Sequence, residues 1–275
     1  MRPYNFGVAL ALAFTPGFIY GYLCHRSQLF PAQYISTLVR STGLKQLFNP
    51  SRERTYPSYS TLDVTEWYGY ERWEACKRTF EQSPLRHDVT RVLWVGDSIL
   101  KEMYVEHFLP NSVNVGTSSM GTKLLYDERH FLDGFQQHVL ILYLGANDLD
   151  EGVSFEDAFP FYQRLVEHFV ERNKEVILLG LHRGFDGAKK NKGVDEFNKR
   201  IEELANKHKF MFVPTPDRFY DQSGFMKRRL SYDGEHLNTE AYELWMDEIR
   251  PCVERAMTFR SGASVHSETD GRATN

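Results

Sequence analysis

The sequence predicts an α/β fold: three layers, with a mostly parallel five-stranded sheet between two layers of helix. Two observations carry this. After Asp88, apolar runs of strand length alternate with longer stretches of helical pattern, and such alternation calls for a parallel sheet covered on both faces. The chain of 275 residues, 41% hydrophobic and 14% aromatic, is also long enough to enclose one good-sized core with appendages.

From Pro3 to Cys24 no residue is charged, and Phe6–Phe14 opens an apolar run that continues past Pro16 to Leu23. At about 1.5 Å per helical residue this stretch can cross a hydrocarbon core of roughly 30 Å. Residues 1–26 are therefore expected to form a single-pass membrane anchor, with the rest of the chain in an endomembrane lumen or outside the cell. A signal peptide cleaved near Ala11-Leu12-Ala13 is the rival and would give a secreted protein, although it leaves the apolar residues beyond Ala13 unexplained. A buried N-terminal helix is the third reading, weakened by Pro16 and the glycines.

Residues 27–87, with Pro50, Pro57 and Pro84, read as a stem in which Thr65–Cys76 forms an aromatic-rich helix packed on the domain. The domain itself is expected over residues 88–259. Its strands are Arg91–Val95, Ser112–Val115, Val139–Leu144, Glu175–Leu181 and Phe210–Val213; its helices are Ile99–Phe108, Phe155–Asn173, Val194–Lys209 and Thr239–Met257. Residues 260–275, rich in Ser, Thr, Gly and charge, read as a disordered tail. Cys24, Cys76 and Cys252 are too few for a disulfide scaffold and lack metal-ligand spacing. Buried free thiols are expected, with a Cys76–Cys252 disulfide as the alternative in an oxidising compartment.

Four stretches bear chemistry. The run Val92–Val95 stops at Gly96 and the residues after Ser98 look helical, which sets Ser98 on a strand-to-helix turn at the carboxyl edge of the sheet. Ligands bind at that edge, and the following helix aims free backbone N–H groups at developing negative charge. Asn114-Val115-Gly116-Thr117-Ser118-Ser119-Met120-Gly121-Thr122 follows the second strand, with glycines whose N–H groups can approach a ligand closely. Gly145-Ala146-Asn147-Asp148 follows the third and brings a side-chain amide to the same edge. Asp233-Gly234-Glu235-His236 precedes the last helix, and its three-residue spacing can set the carboxylate beside the ring. The other ring nitrogen is then free to take the proton of Ser98, a weak nucleophile until a base does so. Singly, each stretch is most often a turn or a helix cap.

In this order the four stretches resemble the blocks of the SGNH (GDSL-like) hydrolase superfamily, across roughly residues 91–257. The resemblance implies a flavodoxin-like three-layer fold, with Ser98 as nucleophile, His236 as base and Asp233 as its orienter. It also implies an oxyanion hole built from the Ser98 backbone N–H, a glycine N–H and the Asn147 side chain. The glycine block departs from the family pattern, because its second glycine comes later. That role falls to Gly121, which Thr122 follows as in the family, with Gly116 as the fallback. Phe197-Asn198 also looks family-like and is expected to be structural.

His182, at the end of the fourth strand, reads as an edge histidine bonded to a loop carbonyl, with substrate contact as the alternative. Arg183–Gly193 is long, basic and glycine-punctuated, and is either a lid or a solvated loop. Lys227-Arg228-Arg229 either faces water or attracts an anionic group. A net charge of −4 points to neither nucleic acid nor an anionic membrane surface. No cofactor or metal is implied by the resemblance. The expected activity is that of a serine esterase, a hydrolase acting through an acyl-enzyme on a small-molecule, lipid or carbohydrate ester. An O-acyltransferase acting on sugar or lipid hydroxyls and a non-catalytic binding module are the alternatives. Acetyl, longer acyl and lysophospholipid esters all remain open, since specificity lies in loops.

Overall fold

Five apolar runs become strands: β1 (Val92–Gly96), β2 (Ser112–Asn114), β3 (Val139–Tyr143), β4 (Glu175–Leu179) and β5 (Met211–Val213). They form one sheet of order β2-β1-β3-β4-β5, with every pair parallel. Each residue of β1 and of β3 is buried, as a strand covered on both faces requires. The strand order reverses between β1 and β3, so the chain leaves these two strands in opposite directions. In open α/β sheets that switch point opens a crevice at the carboxyl ends of the strands.

This computed structural model describes residues 59–172, 174–185 and 188–267, with side chains described in the last span only for residues 191–258. The expected anchor, the first part of the stem, Cys24, residues 186–187 and residues 268–275 lie outside the described residues. Among the described residues, no helix is long and apolar enough to cross a membrane.

The α-helices in chain order are α1 (Tyr70–Phe80), α2 (Ser98–Glu102), α3 (Val105–Phe108), α4 (Thr122–Asp127), α5 (Ala146–Asp150), α6 (Phe155–Glu171), α7 (Ala188–His208) and α8 (Thr239–Ser267). Helix α6 starts where Ser154 Oγ accepts the Asp157 N–H, and α7 ends where Lys209 turns left-handed at φ 60°. On the other side of the sequence, α8 ties itself to α2 and α3: the Tyr242 hydroxyl donates to the Ile99 carbonyl (2.7 Å) and Arg250 to that of Phe108 (3.1 Å).

Several expectations are corrected. The single helix expected over Ile99–Phe108 is two, because Met103 is extended and the Asn114 amide donates to the Leu100 (2.7 Å) and Met103 (3.3 Å) carbonyls. A side chain from the strand segment thus ends the helix in place of a further turn. The segment expected as a lid or loop over Arg183–Gly193 is helical from Ala188 onward, where it forms the first turns of α7. Helix α8 runs past Met257 to Ser267, so residues 260–267, expected as tail, continue it. Cys76 and Cys252 are free, half-buried thiols, which sets aside the disulfide alternative.

Residues 59–87, read as the end of a stem, contribute to the same core as the sheet. Tyr59, Leu62, Trp67 and Trp73 are buried, Trp73 completely. The expected helix over Thr65–Cys76 begins later, after a 3-10 turn at Val64–Glu66 capped by Asp63.

Candidate active site

Ser98 is the first residue of α2 and follows β1 by two positions. Asp97 caps this helix, its Oδ1 accepting the Ile99 N–H at 2.9 Å. The Asp97 carboxyl is buried, and burial pushes it up to about 7 against that hydrogen bond. Ser98 itself is half-buried and lines a cleft together with Asp97, Asn147, His182, Glu235 and His236.

The other reactive groups come from a loop 138 residues away in sequence. A bridge between Ser231 and Leu237 closes this loop, Gly234 turns it at φ 100°, and Asn238 ties it back by donating to the Arg229 carbonyl (2.6 Å). Within it, Asp233 Oδ1 accepts the backbone N–H groups of Glu235 (2.9 Å) and His236 (2.7 Å), while Oδ2 lies 2.8 Å from His236 Nδ1. The opposite ring nitrogen, Nε2, lies 3.0 Å from Ser98 Oγ. A carboxylate at Nδ1 keeps the proton on that nitrogen, which leaves Nε2 to accept from the serine hydroxyl.

The electrostatics agree with that proton placement. Burial alone would raise the Asp233 carboxyl, but the hydrogen bonds from the His236 ring and from two backbone N–H groups hold it well below the usual carboxylate range. The same ring-to-carboxylate bond raises His236 above its ordinary value, partly offset by burial. Tyr232 stacks on the His236 ring, with centroids 5.8 Å apart and planes 10° off parallel, and its hydroxyl bonds to Glu102.

Asn147, in α5 just past β3, lines the same cleft. Gly145 before it takes φ 121°, and a Cβ there would lie 2.7 Å from the Phe197 ring, so glycine is required. Asn147 Nδ2 donates to the Met120 carbonyl at 3.1 Å and approaches Asp97 Oδ2 at 3.4 Å. Neither candidate glycine lines the cleft. The Gly116 N–H bonds to Asn114 Oδ1 at 2.9 Å, whereas Gly121 is the N-cap residue before α4 and packs on Trp67.

Asp148, beside Asn147, is not a cleft residue. It is fully buried, accepts the Thr122 N–H and hydroxyl (2.9–3.1 Å) and the Tyr59 hydroxyl, and burial pushes it up to about 6 against those bonds. His182 lines the cleft with Nε2 at 2.6 Å from the Glu235 carbonyl and Nδ1 at 2.8 Å from the Tyr143 hydroxyl, as expected of an edge histidine bonded to a loop. Asn198 has the structural part expected of it, gripping the backbone N–H and carbonyl of Leu181 at 2.7 and 2.8 Å. Lys227, Arg228 and Arg229 do not line the cleft; Arg229 pairs with Glu240, and Arg228 lies over the Phe185 ring at 5.4 Å.

Tyr68 is the site neighbour that the sequence did not mark: its hydroxyl donates to Asn147 Oδ1 at 2.9 Å. Away from the cleft, His130, Asp133 and His168 also meet, but Arg172 is already bonded to the Asp133 carboxylate.

The GDSL-like Lipase/Acylhydrolase family profile matches residues 94–244, more than half the chain. Among solved structures, a GDSL-like lipase from Bacteroides thetaiotaomicron superposes with a TM-score of 0.60 at 18% identity, covering 70% of this chain and 100% of that one. A catalytic mutant of an acetylxylan esterase from Geobacillus stearothermophilus superposes with a TM-score of 0.53 at 15% identity, covering 59% and 93% of the two chains. Identities this low establish a shared fold and nothing finer. No curated protein matches at a significant level. Residues 94–244 hold both the strand-to-helix turn of Ser98 and the loop of His236, and over that span the chain belongs to the GDSL-like lipase/acylhydrolase family.

Proposed function

We propose that the protein is a serine ester hydrolase acting through an acyl-enzyme. One observation carries the reading: Ser98 Oγ, the His236 ring and the Asp233 carboxylate form an unbroken hydrogen-bonded chain, 3.0 and 2.8 Å, that opens into a cleft. As Ser98 Oγ bonds to the acyl carbon, its proton passes to His236 Nε2. The tetrahedral intermediate collapses by breaking the bond to the alcohol oxygen, which leaves with the proton from His236. A water then repeats the sequence, giving its proton to His236 and releasing the acid and free Ser98.

The negative oxygen of the intermediate needs donors. In this reading the Ser98 backbone N–H and the Asn147 amide supply them; neither Gly116 nor Gly121 lines the cleft. One Asn147 amide hydrogen is engaged with the Met120 carbonyl; the other makes the longer contact with Asp97 and is the one an oxyanion can take over. The acetylxylan esterases with the same fold favour short acyl groups as first test substrates.

The test is labelling with a fluorophosphonate probe, followed by hydrolysis of short-chain aryl esters with and without a sugar acceptor. The wild type is expected to label and to release free acid, and Ser98→Ala to do neither, with turnover down at least about 10³-fold. Absence of labelling in the wild type would point to a binding module. Acyl transfer to the sugar in place of acid release would point to an O-acyltransferase.

A further inference from the structure

The Asn147 amide is held by a residue outside the span that matches the family. Tyr68 lies between the Val64–Glu66 turn and α1, and its hydroxyl donates to Asn147 Oδ1 at 2.9 Å. Across the same amide, Nδ2 faces two acceptors, the Met120 carbonyl at 3.1 Å and Asp97 Oδ2 at 3.4 Å. The acceptors facing the nitrogen select this orientation, and the Tyr68 hydroxyl, which can donate or accept, donates to the oxygen and holds the amide in it. Turned over, the amide would set oxygen against oxygen at Met120 and Asp97. Burial, helped by the nearby Glu151 carboxylate, holds the Tyr68 phenol far above its ordinary value, so it stays a donor across the working pH range.

The neighbouring Trp67 holds the loop that carries the Met120 carbonyl. Its indole N–H donates to the Ser119 carbonyl at 2.7 Å, and its ring lies so close to Gly121 that a Cβ there would sit 2.7 Å from Cζ2. Ser119 is left-handed at φ 65°, a conformation unusual for a residue with a side chain, and the Met120 acceptor comes next. Trp67-Tyr68 therefore grips both the loop that supplies the Met120 carbonyl and the amide bonded to it.

We propose that Tyr68 is a positioning residue for ester hydrolysis: it locks the Asn147 amide with an N–H at the disposal of the oxyanion, so that the segment preceding the matched family span completes the site. The proposal rests on the functional reading of Ser98, His236 and Asn147 given above. An amide free to turn has to be reoriented as charge develops, which slows the chemical step and leaves ground-state binding unchanged.

The experiment is a double-mutant cycle on aryl-ester hydrolysis. Tyr68→Phe keeps the ring and is expected to lower kcat on the order of tenfold with KM within about twofold, while Asn147→Ala lowers kcat about 10²–10³-fold. Because Tyr68 acts through Asn147, adding Tyr68→Phe to Asn147→Ala is expected to cost no further turnover. A purely structural role would instead subtract the same factor in both backgrounds, and that result overturns the proposal. So does an active wild type whose Tyr68→Phe variant keeps full kcat; this leaves the hydrolase reading intact. A wild type that neither labels nor hydrolyses, like Ser98→Ala, overturns both.

Discussion

His236 is held between two opposite demands, and Asp233 decides which one prevails. The ring must be neutral to accept the Ser98 proton, yet the bond to the carboxylate raises its affinity for a proton above the ordinary histidine value near 6.5. In the free enzyme, activity is therefore expected to fall on the acid side with a midpoint above about 6.5. Asp233→Asn removes the charge that stabilises the imidazolium, so His236 titrates lower and the acid limb of kcat/KM moves to lower pH. The amide also presents a donor to Nδ1 and favours the wrong tautomer, so turnover drops on the order of 10⁴-fold. A pH profile of both proteins between about 5 and 9 checks this, and an unmoved acid limb would mean that another group is the base. The residue types of this chain were legible from Asp233-Gly234-Glu235-His236 because an Asx-type turn brings a carboxylate to a ring three positions away without help from distant parts of the chain. The grip of Tyr68 on Asn147 was not, since 79 residues separate the partners.

Among the elements, the break between α2 and α3 shows how a neighbouring strand overrides local pattern. Ile99–Phe108 carries helical spacing throughout, but Asn114, at the end of β2, donates its amide to the Leu100 and Met103 carbonyls and accepts the Gly116 N–H with its oxygen. The short helix is thereby stopped one turn after Ser98. Asn114→Ala leaves these groups without that partner and is expected to lower stability by roughly 1–3 kcal/mol. Urea denaturation measures it, and a change within about 0.5 kcal/mol would mean that water replaces the amide without loss. Other element ends moved for related reasons. Helix α7 begins several residues earlier than its apolar pattern: buried Asn191 accepts the Gly184 N–H at 3.1 Å with Oδ1 and ties down the polar turn ahead of the part anchored at Val194, Phe197 and Ile201.

For the whole molecule, the boundary lies further back than composition suggests. Tyr59 bonds to buried Asp148, Trp67 seats Gly121, and Trp73 is fully enclosed, so residues 59–80 fill space that the strands alone would leave open. Burial of each such side chain stabilises by about 1.5–3 kcal/mol, and the three together, about 5–9 kcal/mol, fall within the net stability of about 5–15 kcal/mol typical of a domain. A chain truncated to begin at Asp88 is therefore expected to lose its cooperative thermal transition and to bind a hydrophobic dye. A sharp transition near that of the full chain would show the early segment to be dispensable. The five-stranded parallel sheet and the Ser98, Asn147 and Asp233–His236 stretches could be read from residue order, because apolar runs, turn glycines and short motif spacings are local signals. That the aromatic residues of Thr65–Cys76 pack on the domain was also legible; that Tyr59 reaches Asp148, that Trp67 holds the Ser119 carbonyl, that Tyr68 reaches Asn147 and that Trp73 is wholly enclosed was settled by the folded chain alone. Such contacts join residues tens of positions apart, and packing at that distance leaves no periodic trace in either partner's own neighbourhood.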